Sequence, residues 1–341
     1  MLPVLYGHTF LNRIGLSRLC ALVLAGYFLS SLIIQQLLPK AERLLYTPFS
    51  MSLWPVLFAL LIVLHAIAQE RRVPRGSLTT RKYWLDAGYM LLAGFVFFTF
   101  CASFGYMKSL IPTIHPYTLD PLLQKIDIAL HGGTAPLGWF QSLLTPALTV
   151  EMNSLYLVSW ITVITLYFFW QLMREPSVGR SQFISVFYLT WIVAGILLAT
   201  LLASVGPIYY AEFYNDAYST LNAGYMKQLY GSGTTKSLLA VDARELLLGF
   251  QKNGSITDYN GISAMPSLHV GVAFLIALHS YVYERKLIWI TIPFALLMFV
   301  GSVALGWHYA IDSYVSVLVV IILWKLNRRD LLRVRVRPVG R

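Results

Sequence analysis

The sequence predicts an all-α polytopic membrane protein, a helical bundle of about eight transmembrane helices with interfacial helices on the non-cytoplasmic side. Three observations lead there. Apolar residues make up 57% of the 341 and charged residues only 12%, whereas a soluble domain carries about 25% charged residues. The apolar residues fall in runs close to the ~20 residues that a helix needs to cross a bilayer. Basic residues gather in alternate connections between those runs, the pattern of a chain that orients itself in a membrane.

On the length criterion the spans cover about 14–38, 52–69, 84–107, 149–173, 181–205, 266–283, 287–305 and 308–326. The third is almost uninterrupted from Leu85 to Met107, and the last two are close enough to form a tight hairpin. No soluble domain, fixed-period repeat or low-complexity segment interrupts them, so residues 1–341 read as one membrane domain. The first run is long and lacks a small-residue cleavage site, so no cleavable leader is expected.

Orientation follows the Lys and Arg residues. One set of connections holds Arg13, Arg18, Arg71, Arg72, Arg75, Arg81, Lys82, Arg174, Arg180, Arg285 and Lys286, and the tail from Lys325 to Arg341 adds more. Both termini are therefore expected in the cytoplasm, with 327–341 as a basic tail against anionic lipid. A net charge of +11 would otherwise raise nucleic acid as a partner. Dispersed between apolar runs, it suits a bilayer instead, and no nucleic-acid partner is expected. Cys20 and Cys101 lie inside apolar runs and suggest neither a disulfide framework nor a zinc site.

Two long connections fall on the other side. In 108–148, Leu119, Leu122, Leu123 and Ile126 make one helical stripe, with Lys125 and Asp127 off it. That stretch is expected to lie along the interface. Gly132-Gly133 and Pro136 then break it before a short helix near Leu137–Leu144. In 206–265, Thr234 or Thr235 is placed to cap a helix whose Leu238, Val241 and Leu248 face apolar surroundings. These pieces read either as packing around the bundle mouth or as a lid.

The chemistry-bearing residues lie at 263–312. His308 and Asp312 are one turn apart if Gly306–Asp312 opens a helix, so the carboxylate can hold one imidazole nitrogen while the other faces a reacting atom. The preceding motif, Met265-Pro266-Ser267-Leu268-His269, opens the sixth span. Proline suits a first helical turn, whose free amides make a phosphate seat with the Ser267 hydroxyl as a further donor. An inward sixth span and an outward seventh return His269 and His308 to one membrane face. His65 and His279, inside spans and without matching partners, read as structural; His115 and His131 read as loop residues. Trp84, Trp139 and Trp289 belong to the aromatic belt.

Pro266-Ser267-Leu268-His269 followed by His308-Tyr309-Ala310-Ile311-Asp312 resembles the second and third signatures of the type 2 phosphatidic acid phosphatase superfamily. Within it, the strings are most similar to the branch of inositol phosphorylceramide synthase and sphingomyelin synthase, as is the Asp120–Pro136 stretch. The resemblance implies a membrane lipid phosphotransferase or phosphatase whose catalytic part is 84–326. His308 would be the nucleophile that forms a phosphohistidine, with Asp312 fixing its tautomer, and His269 the general acid and then base. Ser267 and nearby amides would hold the nonbridging oxygens. No metal or cofactor enters this scheme. The donor would be a phospholipid or lipid phosphate, and the acceptor a lipid alcohol or water.

The chain departs from the phosphatase branch. Its first signature, with a lysine and an Arg-Pro pair, is not found, Leu268 stands for glycine, and Ser302 stands where an arginine is expected. A phosphodiester carries less charge at phosphorus than a monoester and needs less clamping, which favours head-group transfer of the phosphoinositol or phosphocholine kind. Lys236, Arg244 and Lys252 are candidates for replacement charge. The alternatives are a lipid phosphate phosphatase and, from another class, a lipid or ion transporter with a His269/His308/Asp312 relay. Clustering at one membrane edge and the lack of an inverted repeat speak against the transporter. A metal-dependent membrane hydrolase would want a denser histidine set.

Overall fold

The computed structural model describes residues 10–37, 81–230, 244–249 and 261–336. Among these the chain is all-helical, with no strand. In order come α1 (Phe10–Ile14), α2 (Arg18–Leu37), α3 (Arg81–Ser109), α4 (Ile111–Ile114), α5 (Asp120–Leu130), α6 (Pro136–Gln141) and α7 (Pro146–Leu172). Then follow α8 (Val178–Leu201), α9 (Tyr210–Phe213), α10 (Ala217–Tyr230), a helical turn at 244–249, α11 (Leu268–Tyr283), α12 (Ile288–Ala304) and α13 (Ala310–Val336).

Five helical segments are long and apolar enough to cross a membrane: Trp84–Ile114, Ala147–Leu172, Val178–Leu201, Arg285–Ala304 and Ala310–Leu331. Arg18–Ile34 and Leu268–Tyr283 are apolar but shorter. The expected span at 52–69 lies outside the described residues, as do Thr234, Thr235, Leu238 and Val241 of the loop helix. Five full-length spans are thus found among the described residues, and the expected spans at 14–38 and 266–283 correspond to the two shorter helices.

Burial separates the helices into a centre and a rim. α8 is buried nearly all round and packs against α2, α7, α11 and α13, as expected of a helix with no polar face. α7 and α12 keep apolar outer faces, with Ile161, Leu166, Trp289 and Leu296 exposed. Such faces suit lipid. Phe97, Phe168, Phe187 and Tyr188 fill the centre, with Phe97 and Phe168 stacked at 4.4 Å between centroids.

α5 has a buried polar face that the apolar stripe in its sequence does not announce. Its buried face is Asp120, Leu123, Gln124 and Asp127, while Leu122 and Leu130 are exposed. The carboxylates win the inward face because donors are waiting there. Asp120 accepts from the amides of Val205 (3.0 Å) and Gly206 (2.8 Å) and from the hydroxyls of Tyr214 (3.0 Å) and Tyr309 (3.2 Å). Asp127 accepts from the amides of Ala310 (3.4 Å) and Ile311 (3.0 Å), at the N-terminus of α13, where a carboxylate also opposes the helix dipole. His131 is more than a loop residue. It takes the end of α5, with Nδ1 2.6 Å from the Asp127 carbonyl and Nε2 2.8 Å from the Tyr314 hydroxyl of α13. The helix read as floating at the interface is therefore latched onto the last span.

Candidate active site

His308 sits just before a helix rather than in one. α13 starts at Ala310, and Asp312 in its first turn accepts the Tyr309 amide at 3.0 Å, which stops the helix from extending back. Gly306 makes the preceding turn with φ +77°, a conformation an L side chain rarely adopts. The His308 amide donates to the Ser302 carbonyl (3.1 Å), tying the loop to the end of α12. Gly206 lies against the same loop: a Cβ there would stand 2.6 Å from the Trp307 carbonyl oxygen. Asp120, by holding the Gly206 amide and the Tyr309 hydroxyl, clamps both loops at once.

The imidazole of His308 has a defined tautomer. Nδ1 is 2.8 Å from the Ala264 carbonyl oxygen and 3.4 Å from Asp312 Oδ2. A carbonyl only accepts, so Nδ1 carries the hydrogen and Nε2 the lone pair. Asp312 is fully buried behind the ring. The sequence assigned the tautomer to Asp312; the nearer acceptor is a backbone carbonyl in the segment that leads into α11.

That segment also places His269. Ser267 is the N-cap of α11, its hydroxyl accepting from the Val270 amide at 3.4 Å, and its own amide donates to the Asp312 carbonyl at 3.1 Å. Pro266 therefore precedes the cap and is not in the first turn. Ser267 is fully buried and is not among the cavity-lining residues. His269 follows in the first turn, and its ring centroid is 5.9 Å from that of His308.

Both histidines line one cavity of about 210 Å³. Aromatic rings form much of its wall: Phe104, Tyr156, Trp160, Trp191, Tyr209 and Trp307. Gly195 contributes from a π-helical stretch of α8, Val193–Leu198, where a Cβ would stand 2.7 Å from Leu268 Cδ1 and 2.8 Å from the Phe104 ring. Such π-bulges recur at functional sites. The indole nitrogens of Trp191 and Trp307 are buried and, among the described residues, have no hydrogen-bond partner.

One cation lines the cavity among the described residues, and the sequence reading missed it. Lys108, in the last turn of α3, makes no ion pair or hydrogen bond with them. Gly261 lets the segment before α11 run hard against it, since a Cβ there would stand 2.6 Å from the Lys108 carbonyl oxygen. A lysine ending an otherwise apolar span was the available signal. Arg244, by contrast, pairs with Glu212 (3.0 Å) and Glu245, lies over the Tyr209 ring and does not reach the cavity lining. Lys236 and Lys252 lie outside the described residues. The Ser302 hydroxyl donates to the Phe299 carbonyl at 2.8 Å and offers the cavity nothing. Exposed His115 bonds only the Pro116 carbonyl at 3.0 Å. No group of three His, Cys, Asp or Glu side chains converges as a metal site would require, among the described residues.

Outside the spans, burial pushes the carboxyls of Asp120 and Asp127 above the ordinary range, and their amide and hydroxyl donors pull only partly back.

Two histidines line this cavity, with Asp312 behind one of them, and all three lie in the region that a family model covers. The model of the PAP2 superfamily matches residues 122–326. The chain belongs to the PAP2 superfamily. No curated protein and no solved structure matches it significantly. This PAP2 superfamily member is accordingly a phosphatase or phosphotransferase acting on phosphate esters, and its five long apolar helices mark an integral membrane protein. The matched region begins after Lys108 and Asp120.

Proposed function

We propose that this PAP2 protein transfers phospho-head groups between membrane lipids through a phosphohistidine on His308, with the site at the non-cytoplasmic face. The observation that carries the reading is the His308 ring itself. Its Nδ1–H is consumed by Ala264 and Asp312, and its Nε2 lone pair is left for phosphorus in a cavity shared with His269. In the first step Nε2–P forms as the P–O bond to the leaving alcohol breaks, and protonated His269 gives that oxygen its proton. The positive imidazole is supported by Asp312. In the second step an acceptor hydroxyl loses its proton to His269, its oxygen bonds phosphorus, and Nε2–P breaks. Both histidines return to their starting state.

Lys108 supplies charge to the nonbridging oxygens, with the amides at the start of α11 and the indole donors beside it. A single fixed cation balances a phosphodiester monoanion better than a monoester dianion, which supports head-group transfer over simple dephosphorylation. Ser267 contributes by capping the helix that carries His269. The distribution of basic residues supports a non-cytoplasmic site and cytoplasmic termini.

The test is to give the purified protein isotope-labelled phospholipids with and without ceramide, diacylglycerol or polyprenol, and to follow products by mass spectrometry. Transfer predicts a labelled head group on the acceptor and an acid-labile phosphoryl label on the protein that is lost in His308→Ala. Release of free phosphate from a lipid monoester, with no acceptor dependence, would make the chain a phosphatase instead. Passage of unchanged lipid across liposomes would leave the transporter reading.

A further inference from the structure

We propose that Tyr156 and Trp160 are positioning residues that hold the His269 ring by stacking alone, orienting it for proton transfer without fixing its tautomer. The proposal rests on the role of His269 given above. Among the described residues the His269 ring makes no hydrogen bond. What it has is rings: Tyr156 lies nearly parallel at 5.1 Å and 24°, and Trp160 packs at 4.2 Å and 37°. The two sit one turn apart on α7, so a single helix face supplies both. Tyr156 is almost fully buried and is itself backed by Gly301 of α12, where a Cβ would stand 2.8 Å from its ring. The glycine gives the tyrosine its slot, and the tyrosine gives the imidazole its plane.

The two histidines are oriented by different means. His308 must present one lone pair and is pinned through Nδ1 by a carbonyl. His269 has to hold a proton in one half-reaction and lack it in the next. An acceptor on one nitrogen would fix the tautomer and leave the other nitrogen to gain and lose the proton. Among the described residues His269 has no such acceptor, so its orientation falls to the rings. Stacked faces restrict the ring's rotation in either state, and their negative quadrupole also tolerates the imidazolium. The other titratable groups facing His269 are Lys108 from α3 and His308 from the loop before α13, with Asp312 behind it. Stacking must keep His269 oriented beside the Lys108 cation and beside His308, which turns positive only when it carries the phosphoryl group.

The test uses the full chain in lipid nanodiscs and two phosphodiester donors, one with an ordinary alkanol leaving group and one with a nitrophenol that departs without protonation. Trp160→Leu is expected to lower kcat for the alkanol donor by about 10–100-fold, a part of the 10²–10⁴ that acid–base catalysis supplies. KM should change little, and formation of the phosphohistidine from the nitrophenyl donor should be nearly unaffected. Trp160→Phe, which keeps a ring, should recover most of the rate. Gly301→Ala crowds Tyr156 from behind without touching the cavity, and should give the same leaving-group-dependent loss; it serves if Trp160→Leu does not fold. Equal losses for both donors, or full alkanol turnover in both Trp160→Leu and Gly301→Ala, would overturn the positioning role. Wild-type protein that cleaves neither donor would instead sink the phosphotransfer reading beneath it.

Discussion

α11 carries a histidine towards each end, His269 half-buried and His279 buried, and the two are held in opposite ways. His279 has both ring nitrogens occupied, Nδ1 by the Tyr167 hydroxyl at 2.7 Å and Nε2 by the Gly179 carbonyl at 3.0 Å. His269 has neither nitrogen occupied among the described residues and faces a cavity. The same contrast separates two cations. Arg180 is 4% exposed and donates to the carbonyls of Asn12, Arg13, Gln171 and Leu172. Lys108 lines the cavity with no such partners. One end of the bundle spends its polar groups on holding helices together, and Asn327 with Gln182 does the same between α13 and α8. At the other end polar groups are kept in place but left uncommitted. A buried polar group without partners destabilises a fold, so its retention points to a ligand that completes it.

The largest effect should come from the nucleophile. His308→Ala is expected to lower head-group transfer on the order of 10⁴-fold or more, with the thermal unfolding midpoint in detergent close to wild type. Transfer at near wild-type rates in this variant would break the contrast at its centre.

Next come the two cations, which should part company. Lys108→Met removes charge from the site and should cut kcat/KM about 10²-fold, while stability holds or rises because a half-buried charge with no partner among the described residues is gone. Arg180→Met leaves carbonyls without donors and should cost about 3 kcal/mol of stability, with turnover per folded molecule little changed. Denaturation curves and initial rates on both variants decide it. If Lys108→Met destabilises and Arg180→Met inactivates, the division of labour is reversed.

These contrasts also show what a reader of the sequence could and could not see. The apolar runs declared the helices, because a bilayer leaves little choice of backbone structure. His269, His308 and Asp312 were visible as ionisable residues at the ends of such runs. Lys108 was visible in principle but opened the 108–148 connection and was not singled out. Tyr156 and Trp160 were not visible as a pair with a task, since aromatics at helical spacing are ordinary packing until a histidine is placed on them. The inward task of Asp120 and Asp127 was not visible. Periodicity laid the leucine stripe of α5 along the interface, and only the folded chain supplies the amides of Val205, Gly206, Ala310 and Ile311 that draw the carboxylates in. His308 fell outside its helix because of a local capping bond from Asp312, a choice that apolar patterning does not encode.

A smaller effect is expected at the committed end of α11. His279→Leu keeps the volume near that of imidazole but takes the side-chain donor away from the Gly179 carbonyl, while the Tyr167 hydroxyl keeps Ser280 at 3.0 Å. The cost should be about 1–3 kcal/mol, read as a lower unfolding midpoint, with kcat unchanged within error. A folded His279→Leu protein that has lost transfer would mean that the two histidines of α11 are not as different as their surroundings.

The smallest effect concerns Asp120, which serves the site without lining it. Burial raises its carboxyl above the ordinary range, so the folded protein binds this proton more tightly than the unfolded chain does. The sign follows by linkage: between the unfolded and folded pKa the native state holds more protons, and stability falls as pH rises through that window, beginning near 4. Above the window the penalty is constant. Asp120→Asn carries no titrating proton and should flatten this part of the stability–pH curve, though the amide can accept at only one atom and so gives up part of the four-donor clamp. Its transfer rate should fall several-fold through loosening of the 203–209 and 305–309 loops, far less than for His308→Ala. Equal pH slopes for wild type and Asp120→Asn between about pH 4 and 7 would place the titrating group elsewhere, with Asp127 the next to replace.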